Sequence, residues 1–222
     1  MEEAMYYYDT LTLPESLRKP DVGPERVRRW ELTRLRNRAL MRCLAETGGR
    51  ISEVLSLNLG HFPARNLEPG RLEVVRVRVL GKGGHWYHLR LLDALPAIRD
   101  YIEARGVDLR AERGGKVPLF VSHAAAYAGR RMSRYTAWHV VQRAARALGL
   151  PSISQHDFRH WRATQLVNAG VPLDVVQDYL GHRSVETTRG YYAHADPRRV
   201  DEAVRTTRLP RPDSPLAGHC IT

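Results

Sequence analysis

QHDFRH (155–160) and LGHRSVETTRGYY (180–192) are two short polar clusters set in otherwise amphipathic sequence. They bring His156, Arg159, His182 and the adjacent pair Tyr191 and Tyr192 into one stretch, 154–194. Histidines, an arginine and tyrosines make a poor hydrophobic core but suit the handling of a phosphodiester. The flanking pattern is helical. Ser154 and Asp157 give a start resembling a capping box, with Asp in place of the usual Glu or Gln, for a helix ending near Gly170. Pro172 opens another helix, closed by Gly181, and 184–192 reads as a short third one.

His156 and Arg159 stand three apart near that first helix start, so they share a face, while Phe158, Trp161 and Leu166 can bury the other side. An arginine at a helix N-terminus adds to the positive end of the dipole, which favours an anion. His156 and His160 also have the four-residue spacing of helical zinc ligands. Asp157 occupies the position where zinc proteases carry glutamate, and Arg159 would repel a dication, so no metal is expected.

Outward from this stretch, Pro24 begins a helical pattern carried by Leu32, Leu35, Ala39, Leu40, Cys43 and Leu44 up to Gly48 and Gly49. Arg50 then opens a short helix, ISEVLSLNL. LEVVRVRVL (72–80) alternates, with Val75, Val77 and Val79 on one face and Arg76 and Arg78 on the other. The glycine-rich turn around Lys82 leads to HWYHLRL, which alternates again with Tyr87, Leu89 and Leu91. That is a β-hairpin signal. Helices are expected over 93–105, from an N-cap at Ser133 to about Leu148, and over 197–205. PLFVS (118–122) can form a short extended segment. The fold class is mainly α with a small antiparallel β-sheet (α+β). Residues 1–23, with Pro14, Pro20, Gly23 and little periodicity, read as a leader or linker. The main domain then runs 24–195, and 196–222 forms a C-terminal segment with a Pro-rich end.

The chain has 222 residues, 43% hydrophobic and 27% charged, with a formal net charge of +11. That suits a soluble globular protein with a self-sufficient core. Its positive surplus, mostly arginine, favours a polyanionic partner, nucleic acid before an anionic membrane. No run is long enough to cross a bilayer, and MEEAMYYYDT lacks the apolar stretch of a signal peptide. The two cysteines, Cys43 and Cys220, have no metal-type spacing. A cytoplasmic, reducing setting is expected.

These residues together resemble the catalytic domain of the tyrosine recombinase (phage integrase) family over about 25–195. TGGRISEVLSL (47–57) is similar to its first arginine box, with Arg50 and, three further on, Glu53. VLGKGGHWYHLRL is similar to its hairpin, where Lys82 matches the mobile lysine. SQHDFRH matches the His-x-x-Arg box, giving His156 and Arg159, followed by His160. LGH gives His182, and the nucleophile is expected nine residues on, at Tyr191. Family members usually place a histidine two residues after the nucleophile. Here His194 stands two after Tyr192, which makes Tyr192 the alternative.

The resemblance implies the DNA breaking-and-rejoining fold and a site-specific recombinase or integrase that works through a 3′-phosphotyrosyl intermediate, without metal, ATP or other cofactor. Arg50 and Arg159 would hold the non-bridging oxygens, Lys82 would protonate the leaving oxygen, and His156 would accept the tyrosine proton. His182 would bond the phosphate, with Glu53 and His160 in supporting positions. It further implies double-stranded DNA as partner, a homotetramer on DNA and a monomer when free, and exchange of the C-terminal segment between neighbours. Arg76, Arg78, Arg130, Arg131 and Arg134 are candidates to lie along the DNA backbone. Many members carry an N-terminal DNA-clamping domain, for which two dozen residues are too few, so an isolated catalytic domain or a minimal recombinase is expected. A catalytically silent DNA-binding module of the same fold is the competing reading, and a topoisomerase-like role would use the same chemistry.

Overall fold

A computed structural model describes residues 1–70, 73–81, 83–109, 116–181 and 197–209, with the backbone alone at Gln155. Its centre is helix α2 (Pro24–Thr47). Every residue from Ala39 to Thr47 is buried, so the second half of this helix is enclosed all round. Around it pack α1 (Glu2–Thr10), α3 (Ile51–Leu55), α4 (Leu95–Ala104), α5 (Arg134–Ala147) and α6 (Gln155–Asn168). A two-stranded antiparallel sheet, β1 (Val75–Leu80) and β2 (Trp86–Leu91), lies against the same helix through β2. Helices α7 (Leu173–Leu180) and α8 (Pro197–Thr206) complete the described chain.

Among the described residues, the hairpin and the helices expected from Pro24, Ser133, Ser154 and Pro172 appear where the sequence places them. Ser133 caps α5 by accepting from the Thr136 amide at 3.1 Å. Ser154 accepts from the His156 amide, and Asp157 returns the bond to the Ser154 amide at 2.6 Å, so the Asp variant of the capping box is real. In the hairpin, Val77 pairs with Leu89 and Val79 with Tyr87, all with buried side chains. Gly48 ends α2 in the left-handed region (φ 57°). A Cβ there would stand 2.7 Å from Leu180 Cδ2 and force that methyl to shift, on top of the backbone strain that glycine avoids. Segment 118–122 contributes isolated bridges, Asn58 to Pro118 and Val121 to Arg131.

The N-terminal stretch departs from expectation. Residues 2–10, taken within 1–23 as a leader, form α1, which is docked on α2 and α5. Ala4, Met5 and Tyr8 are its buried face, and the Tyr8 hydroxyl donates to Val140 O at 2.9 Å. Asp9 bridges Arg38 (2.7 Å) and Arg42 (3.0 Å). The helix was hard to see because tyrosines, not aliphatic residues, supply much of its packing surface. Of 196–222, the described part is also docked: Val200, Ala203 and Val204 join Leu166, Val175, Val176, Tyr179 and Leu180 in a second apolar cluster. Asp201 faces Arg76 at 2.9 Å and Arg90 at 3.4 Å, which ties α8 to the hairpin.

Glu46, fully buried near the end of α2, accepts the amides of Leu92, Asp93 and Ala94 at 2.8, 2.8 and 2.9 Å. The exit of β2 is thereby fastened to α2, and the hairpin's placement follows. Segment 118–122 is held in turn by arginines: Arg36 donates to Val121 O at 3.1 Å and Arg105 to Leu119 O at 2.9 Å. His123 lies beside both, its Nε2 3.0 Å from the Tyr101 hydroxyl. Burial, then the charges of Arg36 and Arg105, take its pKa down from 6.5 to about 4. An unfolded chain therefore gains a proton at His123 that the folded one refuses, and stability falls as pH drops from 6.5 through about 4. Thermal melts should show a steeper loss across that window for the unaltered chain than for His123→Gln, which keeps an acceptor for Tyr101 but cannot titrate. Parallel curves would count against this role.

Candidate active site

The site is built where the ends of several helices meet the hairpin. After Gly48 the chain turns, and Arg50 becomes the N-cap of α3 with extended backbone (φ −68°, ψ 149°). Arginine has no acceptor with which to cap a helix. The capping is done by Glu53, which takes the Arg50 amide on Oε2 at 2.6 Å and Arg50 Nη1 on Oε1 at 2.9 Å. The Tyr87 hydroxyl donates to the same Oε2 at 2.7 Å. Glu53 is buried, so its carboxylate is held in one plane, and it presents the partly exposed guanidinium of Arg50 in a fixed direction.

Arg159 reaches the same place from α6. Its Nη1 donates to Gly48 O at 3.2 Å and its Nη2 to Leu180 O, the carbonyl ends of α2 and α7. Helix C-terminal carbonyls carry partial negative charge and suit a guanidinium. Burial lowers the Arg159 pKa; the Tyr87 hydroxyl opposes this, and the neighbouring charge of Arg50 adds to it. Two cations drawn together around Glu53 favour an anion, and a phosphate with several acceptor oxygens fits two guanidinium forks.

The hairpin closes the other side. His85 Nε2 lies 2.9 Å from Gly181 O, and the rings of His85 and Tyr87 stack with centroids 6.0 Å apart. Gly181, left-handed at φ 63°, faces the Tyr87 ring so closely that a Cβ would stand 2.5 Å from it. His85 and Tyr87 of the hairpin are therefore packed against Gly181 at the end of α7. Lys82, His182, Tyr191 and Tyr192 themselves lie outside the described residues, as does the helix expected over 184–192.

Of the residues picked out from sequence, the structure brings Arg50, Glu53 and Arg159 together. His156 and His160 lie on the same helix as Arg159, with both side chains exposed. Tyr87 and His85 were missed as site residues. Tyr87 appeared only as an inward-facing strand position beside Leu89 and Leu91. The available signal was its chemistry, since a buried tyrosine hydroxyl needs a partner. Among the described residues, no three His, Cys, Asp or Glu side chains gather to hold a metal ion. No described helix is long and apolar enough to cross a membrane.

The candidate DNA-facing arginines separate into distinct environments. Arg131 donates to Leu55 O, to Leu57 O at 3.2 Å and to Asn58 Oδ1 at 2.6 Å, so its guanidinium is committed to the chain leaving α3. Arg76 pairs with Asp201, Arg78 lies over the Trp86 ring at 4.6 Å, and Arg130 lies over Tyr127 at 5.8 Å. Arg134 is exposed at the start of α5.

A helix-rich domain with a two-stranded antiparallel sheet, bearing two arginines gathered at helix ends beside the hairpin, has the form of a tyrosine recombinase catalytic domain. The chain belongs to the phage integrase family, whose model matches residues 27–199. It is 33% identical to the tyrosine recombinase XerC of Herpetosiphon aurantiacus over 168 residues, 75% of this chain and 50% of that protein. It is 36% identical to the tyrosine recombinase XerD of Mycobacterium tuberculosis over 178 residues, 78% of this chain and 50% of that one. The chain thus spans about half the length of the curated relatives it matches. Its fold is similar to that of the XerH site-specific recombinase in a post-cleavage complex with a palindromic difH substrate. There the TM-score is 0.57 at 24% identity, covering 91% of this chain and 50% of that one. It is also similar to the integrase from mycobacterium phage Brujita, with a TM-score of 0.57 at 18% identity, covering 95% and 57%.

Proposed function

We propose that this chain carries the catalytic machinery of a site-specific DNA recombinase that cuts and rejoins double-stranded DNA through a 3′-phosphotyrosyl link. The observation that supports this most is the convergence of Arg50 and Arg159, distant in sequence, around Glu53, with the hairpin turn lodged against Gly181. In this reading the Tyr191 hydroxyl attacks the phosphorus and the 5′-oxygen leaves. Arg50 and Arg159 hold the charge that gathers on the non-bridging oxygens. His156 accepts the tyrosine proton, Lys82 gives one to the departing 5′-oxygen, and His182 bonds the phosphate. Attack by another 5′-hydroxyl reverses the step, so the bond energy is conserved and no ATP or metal is required. His160 supports the helix face that carries His156.

Residues 24–195 form the catalytic unit in this proposal, with α1 packed against it. A homotetramer on DNA would exchange segments that follow the nucleophile. The test uses a pool of nicked duplexes with a randomised core, from which a cleaving enzyme selects its own site by becoming attached. A denaturant-resistant protein–DNA adduct formed in EDTA and without ATP is expected. Duplex binding with no adduct would favour the silent DNA-binding module, and cleavage lost in EDTA would favour a metal-dependent hydrolase.

A further inference from the structure

Tyr87 is drawn into the site by contacts that a strand residue does not need for packing alone. Its ring fills the space that Gly181 leaves open, and its hydroxyl passes beyond the apolar face to Glu53. Glu53 Oε2 receives that hydroxyl and the Arg50 amide, while Oε1 receives the Arg50 guanidinium. A carboxylate on a freely turning side chain would let the guanidinium wander. One held at Oε2 by the Arg50 amide and the Tyr87 hydroxyl, and at Oε1 by the guanidinium itself, is restrained in its rotation.

We infer that Tyr87 is a positioning residue, whose hydroxyl locks Glu53 and thereby presets the Arg50 guanidinium beside Arg159. The inference rests on the phosphoryl-transfer reading of this site. Burial, followed by the hydrogen bond and charge of Glu53, holds the Tyr87 hydroxyl well above its ordinary pKa, so it stays a neutral donor. Arg159 acts on the same hydroxyl in the opposite direction, through its charge and a hydrogen bond. Misplacing a phosphate-holding group by a fraction of an ångström acts on the transition state more than on duplex binding.

Tyr87→Phe keeps the ring against Gly181 and removes only the hydroxyl. On the duplex selected from the randomised pool, adduct formation at saturating protein should slow about tenfold, with duplex affinity unchanged within about twofold. In a Glu53→Gln background the same change should slow it further by less than about twofold, because the pathway through Glu53 is already broken. A readout independent of cleavage is the Arg50 Nε–H signal in the free, isotope-labelled chain, whose exchange with water should quicken several-fold in Tyr87→Phe. A wild-type cleavage rate in Tyr87→Phe, or an equal slowing in both backgrounds, would overturn the inference. If the unaltered chain forms no adduct, the recombinase reading fails. The exchange measurement then decides alone: faster Arg50 exchange upholds the positioning role, and an unchanged signal ends it.

Discussion

Tyr191→Phe is expected to yield no covalent adduct with the selected nicked duplex, while Tyr192→Phe should retain it within about threefold. Phenylalanine offers no oxygen to the phosphorus, and removing the nucleophile of a covalent mechanism typically costs on the order of 10⁶ in rate. A tyrosine hydroxyl is a weak nucleophile at neutral pH, with an ordinary pKa of about 10. It becomes competent only where cations gather on the phosphate and a base takes its proton. In the proposed mechanism Arg50, paired with Glu53, and Arg159, held by Gly48 O, would supply the cations. Tyr191 stands nine residues after His182, the spacing on which its assignment rests. Duplex binding measured by a non-covalent assay should survive in both variants. Loss that follows Tyr192 instead would move the nucleophile by one position, in keeping with His194 two residues beyond it.

The second large effect is structural and reaches the site through a residue with no side chain. Gly181→Ala should lower the melting temperature by about 10 °C and weaken cleavage in whatever fraction remains folded. A Cβ at φ 63° costs about 1–2 kcal/mol. Its position 2.5 Å from Cγ and Cδ2 of Tyr87 adds about 1–3 kcal/mol of overpacking. Together that is a large share of a total stability of about 5–15 kcal/mol. The Tyr87 ring must move, and its bond to Glu53 goes with it. Gly170→Ala is the matched control: it has φ 76° and nothing within 4 Å of the added carbon, so only the backbone strain applies. Equal melting shifts for the two substitutions would show that the Tyr87 contact contributes nothing.

Much of the architecture was legible beforehand because it depends on local rules. The alternation of Val75, Val77 and Val79 places those side chains on one side of a strand wherever that strand docks. The Ser154–Asp157 box closes within its own first turn, so no partner from elsewhere is required. The α1 pattern is faint because its buried stripe is only Ala4, Met5 and Tyr8, and the adjacent Tyr6 and Tyr7 blur its spacing. Tyr87 and His85 escaped for another reason. Their roles are defined by Glu53 and Gly181, residues far off in the chain, and nothing local announces such partners.

What the sequence by itself determined is the set of chemical groups and their order: two arginine boxes, a glycine-rich hairpin, and a tyrosine pair behind a Gly-His. Side-chain chemistry and short-range periodicity are properties of neighbouring residues, and they survive any arrangement of the helices. The tertiary structure alone decided that Arg159 is held by the carbonyl ends of α2 and α7, and that Arg50 is aimed by a carboxylate which a strand tyrosine fixes. The Arg159 bond to Gly48 spans 111 residues and the Tyr87 bond to Glu53 spans 34, so both form only once the helix ends and the hairpin are packed together. Glycines at 48 and 181, which leave room for Leu180 and for the Tyr87 ring, let them come that close.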